Sequence, residues 1–486
     1  MRRLKITPSE VTFRPDSSRV LIRPFVPSDS ARVVNIIGRA LALSEAETAE
    51  QLADITAEFG DRHSDIQATW RLHFERVKAH VFSSRPISDN RRLYIGALFS
   101  GEYALESAAL FNPSIVPHPD QTGLDPGDLR FILSLRATGE GHISSIEFRV
   151  GVIHADLRLS VEKPSRFVSA PVLNRNPTYR KEVFLHKLME MGFENDWSQR
   201  VMELLGDNFT FSELERAMRQ AAPGSAPLAR EVQRTTECVR WLAESNYEIH
   251  FNPALAVAER IIFPVSSNES NGMEDARFVR FVEEDGSVLY YATYTAYNGR
   301  AILPQLLETS DFLNFRAVTL NGRAVQNKGM ALFPRRIGGQ YAMISRQDDE
   351  NLFLMFSGNP HFWSDPKLLR KPGEPWEGVK IGNCGSPIET DAGWLVITHG
   401  VGPMRKYCIG AMLLDLEDPS KVLSHLREPL LTAEGSGREG YVPNVVYTCG
   451  ALVHGGRLIL PYGLSDTATT IATMDLGQLL ACLKPS

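Results

Sequence analysis

Three of five similar apolar runs in this chain end on a side chain capable of chemistry. Arg130-Phe-Ile-Leu-Ser-Leu-Arg136 closes on Arg136, Tyr341-Ala-Met-Ile-Ser-Arg346 on Arg346, and Trp394-Leu-Val-Ile-Thr-His399 on His399. Asp466 follows a fourth such run, Leu458 to Gly463, by three residues. Paired carboxylates, Glu274 and Asp275, stand beside Arg277 in a Gly/Asn-rich stretch that opens a strand. One of them could act as a general acid if burial or nearby negative charge kept it protonated near neutral pH. The same trio also makes an ordinary salt bridge, and the pattern leaves both readings open. Lys328 (Asn327-Lys328-Gly329-Met330) and Lys380 (Lys380-Ile-Gly-Asn383) complete the set. Two lysines, an arginine and a histidine in one pocket repel each other unless an anion joins them. Phosphate is the natural anion, since lysine meets it as a point charge and arginine bidentately.

What must position these residues is a repeat. The fifth run is Leu289-Tyr-Tyr-Ala-Thr-Tyr-Thr295, and the last four runs begin 52, 53 and 64 residues apart. A four-stranded blade with its loops takes roughly that length, which predicts a five-bladed β-propeller. Equivalent strand ends of successive blades surround one axis, so residues hundreds of positions apart can share a pocket. The first step is 159 residues and breaks the period. Between Pro177 and Ser245 the pattern turns helical: Lys181 to Met191, Trp197 to Leu205, Phe211 to Ala221 with Ser212 as cap and Glu215 behind it, and Leu228 to Glu244. The first ninety residues also read as mostly helical, with a capping box at Ser44 and Glu47 and a second helix over Ile66 to Val81. The expected organisation is thus an N-terminal helical segment (1–90), a first blade (91–176), a helical insertion (177–248) and the remaining blades (249–486).

Composition narrows the function classes. The chain has 486 residues, 43% apolar and 23% charged, as in ordinary globular proteins. A net charge of −6 argues against a nucleic-acid binder. No run of about 18 apolar residues is present to span a bilayer. The five cysteines are scattered and never form C-x-x-C, and no apolar segment follows the basic start; reduced thiols in a cytoplasm are expected. Gly435-Ser-Gly437-Arg-Glu-Gly440 matches G-x-G-x-x-G but precedes a strand-like run instead of a helix, so it reads as a loop. P-loop, H-E-x-x-H and G-x-S-x-G motifs are missing, and no metal ligands cluster.

Several motifs in order resemble glycoside hydrolase family 130: Met273-Glu-Asp-Ala-Arg277, Asn327-Lys-Gly-Met-Ala-Leu-Phe-Pro334, Gly393-Trp-Leu-Val-Ile-Thr-His-Gly400, Leu413-Leu-Asp-Leu-Glu-Asp-Pro-Ser420 and Val442-Pro-Asn-Val-Val-Tyr-Thr-Cys-Gly450. The resemblance runs from about residue 108 to the C-terminus, skipping the helical insertion. It implies a five-bladed propeller acting on β-mannosides as an inverting phosphorylase, with α-mannose 1-phosphate and a shortened acceptor as products. Asp275 resembles the family's catalytic acid, delivering its proton through the sugar's 3-hydroxyl. Lys328, Arg346, Lys380, His399 and Tyr407 match the phosphate-binding positions. Asn112 (in Phe-Asn-Pro), Arg136 and Asp466 resemble the residues that hold mannose. The chain departs from the family pattern at Ala276, where proline is common, and at Gly329, where aspartate often follows the lysine. Phosphate is then a co-substrate and no cofactor is expected; the partners are a β-mannoside and phosphate, with self-association through the helical segments, and neither nucleic acid nor membrane. The alternatives are an inverting β-mannosidase on the same scaffold and a non-catalytic carbohydrate-binding propeller.

Overall fold

All five repeated runs are strands, and each pairs antiparallel with the apolar run behind it. Leu129–Thr138 pairs with Ser144–Ile153, Val288–Tyr297 with Ile302–Thr309, and Tyr341–Ser345 with Leu352–Ser357. Gly393–Val401 likewise pairs with Tyr407–Leu414, and Arg457–Leu464 with Ala468–Asp475. The computed structural model describes residues 4–83, 86–174, 176–221 and 229–485. Gly393–Val401 is buried at all nine positions. A strand covered on both faces has no polar side to alternate with, which is why these runs read as continuous apolar stretches.

A further strand precedes each pair and joins its edge: Ala109–Pro117, Gly272–Val282, Ala331–Leu332, Lys380–Asn383 and Val446–Tyr447. The chain is therefore mainly β, in five successive antiparallel groups. The first two groups share one sheet through a parallel pairing of Gly272 with Ser144, the others lie in separate sheets, and none is closed among the described residues. Elsewhere the groups meet mainly through side chains. One apolar cluster joins Ile132 and Phe148 of the first group to Phe278 and Tyr290 of the second. Others join Phe281 to Met343, Leu354 to Val396, and Leu395 to Leu458. The last joins Ile459 and Ile471 of the fifth group to Leu110 and Phe131 of the first, so the succession returns to its start.

Residues 4–29 are strands, turns and coil, not helix. Ile6–Phe13 pairs with Ala468–Asp475, adding an edge to the last group, and Val20–Pro24 pairs with Ser100–Ala104. Helices α1 (Ser30–Ala42), α2 (Glu45–Phe59), α3 (Ile66–Val77) and α4 (Asp89–Leu98) follow. The Ser44–Glu47 capping box is present at α2. Arg19 anchors this segment to the first group in a buried tetrad with Glu106, Glu147 and Arg149, where every charge meets an opposite one within 3.1 Å.

Among the described residues, four α-helices make up the insertion: α5 (Lys181–Glu190), α6 (Asp196–Glu203), α7 (Phe211–Gln220) and α8 (Ala229–Glu244). Leu228, the expected start of the last helix, lies outside the described residues. The cap of α7 is Thr210 with Glu213, two residues before the Ser212–Glu215 pair of equal spacing; Glu215 instead binds Arg219 and Arg240. The insertion has its own apolar core around Leu188, Val201, Leu214 and Val239. It hangs from the outer edge of the second group, where Val172–Asn174 and Tyr247–His250 extend the sheet beyond Asn314–Thr319. At this seam the buried Lys187 donates to the Leu320 carbonyl at 3.0 Å and to Glu190 at 3.3 Å, while Glu190 accepts from the Gly322 amide. Helix α5 thereby grips the segment that runs on to Lys328.

Candidate active site

Two of the strands that open their groups are bulged, and the bulges aim the site. The ladder of Gly272–Val282 slips between Glu274 and Arg277, and that of Ala109–Pro117 between Phe111 and Ser114. Asp275 and Asn112 sit in these slips with φ of +55° and +48°. This left-handed backbone is one that short Asx side chains tolerate better than most. The reward is convergence across 163 residues: Asn112 Nδ2 donates to Asp275 Oδ1 at 2.7 Å, and Arg136 Nη1 donates to the same oxygen at 3.2 Å. Ala276 lies in the same bulge, outside the ladder register, a place where proline also fits.

Burial pushes the Asp275 carboxyl up, but Arg136, Arg277, the Asn112 hydrogen bond and Lys328 outweigh it and hold the group at about 2. Asp275 is therefore ionised. Asp466, in a turn with φ of +50°, behaves oppositely. Burial and the Asp275 charge, partly offset by Arg136, push it up to about 7. Arg136 is the cation shared by both carboxylates.

Glu274 connects this cluster to a second one. It accepts from Arg136 Nη2 at 2.8 Å and from Lys328 Nζ at 2.6 Å. Arg346 Nε donates to the Lys328 carbonyl at 3.1 Å, and its Nη1 lies 3.5 Å from His399 Nε2. Lys380 Nζ donates to both oxygens of Asp349, at 3.0 and 2.9 Å. Tyr407 stacks on the His399 ring with centroids 6.0 Å apart, and Tyr447 meets that ring edge-on at 4.9 Å. Burial, together with Arg346, Arg277 and Lys380, drives the imidazole well below its usual range. His399 is therefore a neutral hydrogen-bonding group, where the sequence reading counted it among charges that repel. Two glycines are required here. A Cβ on Gly382 would sit 2.3 Å from the His399 ring, and one on Gly329 (φ +88°) would sit 2.6 Å from Arg346 Nε. At Gly329 the positive φ is also a backbone conformation that glycine adopts without strain.

All nine candidates fall in this connected region: Asn112, Arg136, Asp275 and Asp466 at one end, and Lys328, Arg346, Lys380, His399 and Tyr407 at the other. Sequence reasoning named Arg277 only as a neighbour of the paired carboxylates, and it missed Asp349, His142 and Tyr441. Arg277 is buried and fixes the bulge, donating to the Asp275 and Cys384 carbonyls and to the Tyr447 hydroxyl at 2.8 Å each. Asp349 holds Lys380. His142 and Tyr441 form an exposed aromatic pair, with centroids 5.6 Å apart and Tyr441 Oη 3.2 Å from His142 Nδ1. His142 lies in the turn between the strands that carry Arg136 and Ser144. Tyr441 N donates to Thr467 Oγ1, and Val442 N to the Ser465 carbonyl, placing the pair against the Asp466 turn. The signal for Asp349 was present as Asp348-Asp349 three residues past Arg346; nothing in the sequence joins positions 142 and 441.

A family model described as β-1,4-mannooligosaccharide phosphorylase matches residues 236–485. The chain belongs to glycoside hydrolase family 130. Among its relatives, a 1,2-β-oligomannan phosphorylase of Thermoanaerobacter sp. is 36% identical over 228 residues, 45% of this chain and 75% of that one. A β-1,2-mannobiose phosphorylase of Listeria innocua is 31% identical over 227 residues, 45% of this chain and 62% of that one. A β-1,4-mannooligosaccharide phosphorylase of Ruminococcus albus is 35% identical over 170 residues, 32% of this chain and 51% of that one. Among solved structures, the Listeria innocua β-1,2-mannobiose phosphorylase in complex with β-1,2-mannobiose is 20% identical, covering 77% of this chain and 92% of that one with a TM-score of 0.46. As a family member the chain is an enzyme of carbohydrate processing.

Proposed function

We propose that this family 130 enzyme is an inverting phosphorylase that cleaves a β-linked mannoside with inorganic phosphate, yielding α-mannose 1-phosphate and a shortened acceptor. The observation that carries the reading is the junction at Glu274-Asp275: one carboxylate faces a sugar-type polar cluster, and its neighbour leads directly into a wall of cations. An inverting displacement needs an acid on one face of the sugar and a nucleophile on the other. Phosphate is already an anionic nucleophile, so no second carboxylate is needed as base. The relatives named as mannoside phosphorylases support the same reading. The return of the fifth apolar cluster to the first strand group supports a five-bladed propeller, with the site at its axis.

In this mechanism Lys328, Arg346 and Lys380 hold phosphate in line with the anomeric carbon, with His399 and Tyr407 as neutral hydrogen-bonding partners. Phosphate attacks that carbon, the glycosidic C–O bond breaks, and the leaving oxygen takes a proton relayed from Asp275 through the 3-hydroxyl. Asp275 must gain that proton on forming the complex. The incoming anion, which draws on neighbouring cations, acts in that direction. In the reverse, synthetic direction the ionised Asp275 is already the base. Asn112, Arg136 and Asp466 orient the mannose ring. The exposed His142–Tyr441 pair offers the acceptor an aromatic face beside that ring. The helical segments 1–90 and 177–248 are assembly or support modules outside the chemistry, and the cytoplasm is the compartment that suits five unpaired thiols.

The test is product analysis on β-1,2-, β-1,3- and β-1,4-linked mannobioses with and without orthophosphate. Phosphate-dependent α-mannose 1-phosphate is the expected product. Free mannose released equally without phosphate would establish the mannosidase alternative, and binding without turnover the non-catalytic one.

A further inference from the structure

A pocket lined by cations must have its charge answered before its anion arrives, and two carboxylates do so here in different ways. Glu274 is buried in a strand and tied at both ends, to Arg136 and Lys328. Asp349 is half exposed, in the turn between Tyr341–Ser345 and Leu352–Ser357, with φ of +61°. Both its oxygens accept from Lys380 Nζ, and Oδ1 lies 3.5 Å from Arg346 Nη1. A planar dioxygen group bridging a lysine and an arginine has the shape and charge of one face of a phosphate.

We propose that Asp349 is an internal competitor for phosphate: it occupies the Lys380–Arg346 anion position in the empty site and swings out to solvent when phosphate enters. This rests on the phosphorylase reading. Charge favours exchange over coexistence. Three cations, Lys328, Arg346 and Lys380, face Glu274 and Asp349. A phosphate near its dianionic state balances the group only if Asp349 has left. Position favours it too, since Asp349 is on the solvent side and only its side-chain torsions need change, whereas Glu274 has no such freedom. Asp349 thus sets how much free phosphate the enzyme needs.

The experiment is calorimetric titration of the full chain with inorganic phosphate, for the wild type, Asp349→Asn and Asp349→Ala, alongside KM values for phosphate and mannoside and a thermal melt. Both variants should bind phosphate more tightly, by roughly 3- to 10-fold, the range of a half-exposed ion pair. The mannoside KM and the melting temperature should stay in place. A residue that merely supported Lys380 would give the opposite sign, so unchanged or weaker phosphate binding in correctly melting variants overturns the proposal. A wild type that binds no phosphate and releases mannose without it overturns the phosphorylase reading, and the proposal with it, without reference to the variants.

Discussion

The two ends of the site solve the problem of an empty pocket differently. At the end proposed to hold the sugar, Asn112 and Arg136 both donate to Asp275 across bulged strands, so the geometry exists before any ligand binds. At the end proposed to hold phosphate the cations rest on carboxylates, one of which is half exposed in a turn. One end is organised by backbone strain that strands hold in place; the other is organised by charge that an incoming anion can rearrange. Neutral sugar hydroxyls cannot displace a buried ion pair, so their partners have to be aimed in advance. Phosphate brings its own charge and can compete.

The largest break in this contrast comes from Asp275→Asn. It should leave the fold intact and lower kcat by about 10³-fold, the scale of a lost general acid, with the KM for phosphate changed far less; steady-state kinetics with circular dichroism checks both. Arg346→Ala strikes the other end. Loss of a charge-assisted contact should raise the KM for phosphate ~10- to 100-fold while the mannoside KM moves little. Asp466 sharpens the comparison through pH. It accepts hydroxyl hydrogen bonds best when ionised, and it is ionised only above about 7. At saturating phosphate, kcat/KM for the mannoside should therefore fall as pH drops through about 7, and Asp466→Asn should flatten that limb. The smallest effect belongs to the insertion. Lys187→Met loosens the grip of α5 on the Leu320–Gly322 segment, and a rise of roughly 2- to 5-fold in the phosphate KM with an unchanged mannoside KM is expected for one lost hydrogen bond acting at a distance. An equal change in both KM values would show that α5 supports the whole site and not its phosphate end.

The repeat made the strands legible because doubly covered strands are continuous apolar runs, and run ends then indicated Arg136, Arg346 and His399. Lys328, Asp275 and Asn112 were reachable because their local motifs survive in this chain. Charge states were not legible. Neither the neutral His399 nor the opposite shifts of Asp275 and Asp466 can be read from residue types, since they depend on how deeply the fold buries each group and which distant charges it brings close. Asp349 was hidden for a related reason: an acidic turn next to an arginine reads as a solvated loop until the fold brings Lys380 against it. At the N-terminus the helical texture from Ser30 onward masked Ile6–Phe13. An edge strand of mixed exposure carries a weak signal, and its partner lies at the other end of the chain.

That last pairing bears on the order of events during synthesis. Ile6–Phe13 is made long before its partner Ala468–Asp475. At about 5–20 residues per second, translation leaves the early strand without its mate for roughly 20 to 90 s. Throughout that interval it is an open edge able to pair with other chains. The last strand group can therefore gain this edge only after Ala468–Asp475 has been made, and substitutions in Ile6–Phe13 should appear first as poor yield and slow maturation, with the chemistry of the molecules that do fold left untouched.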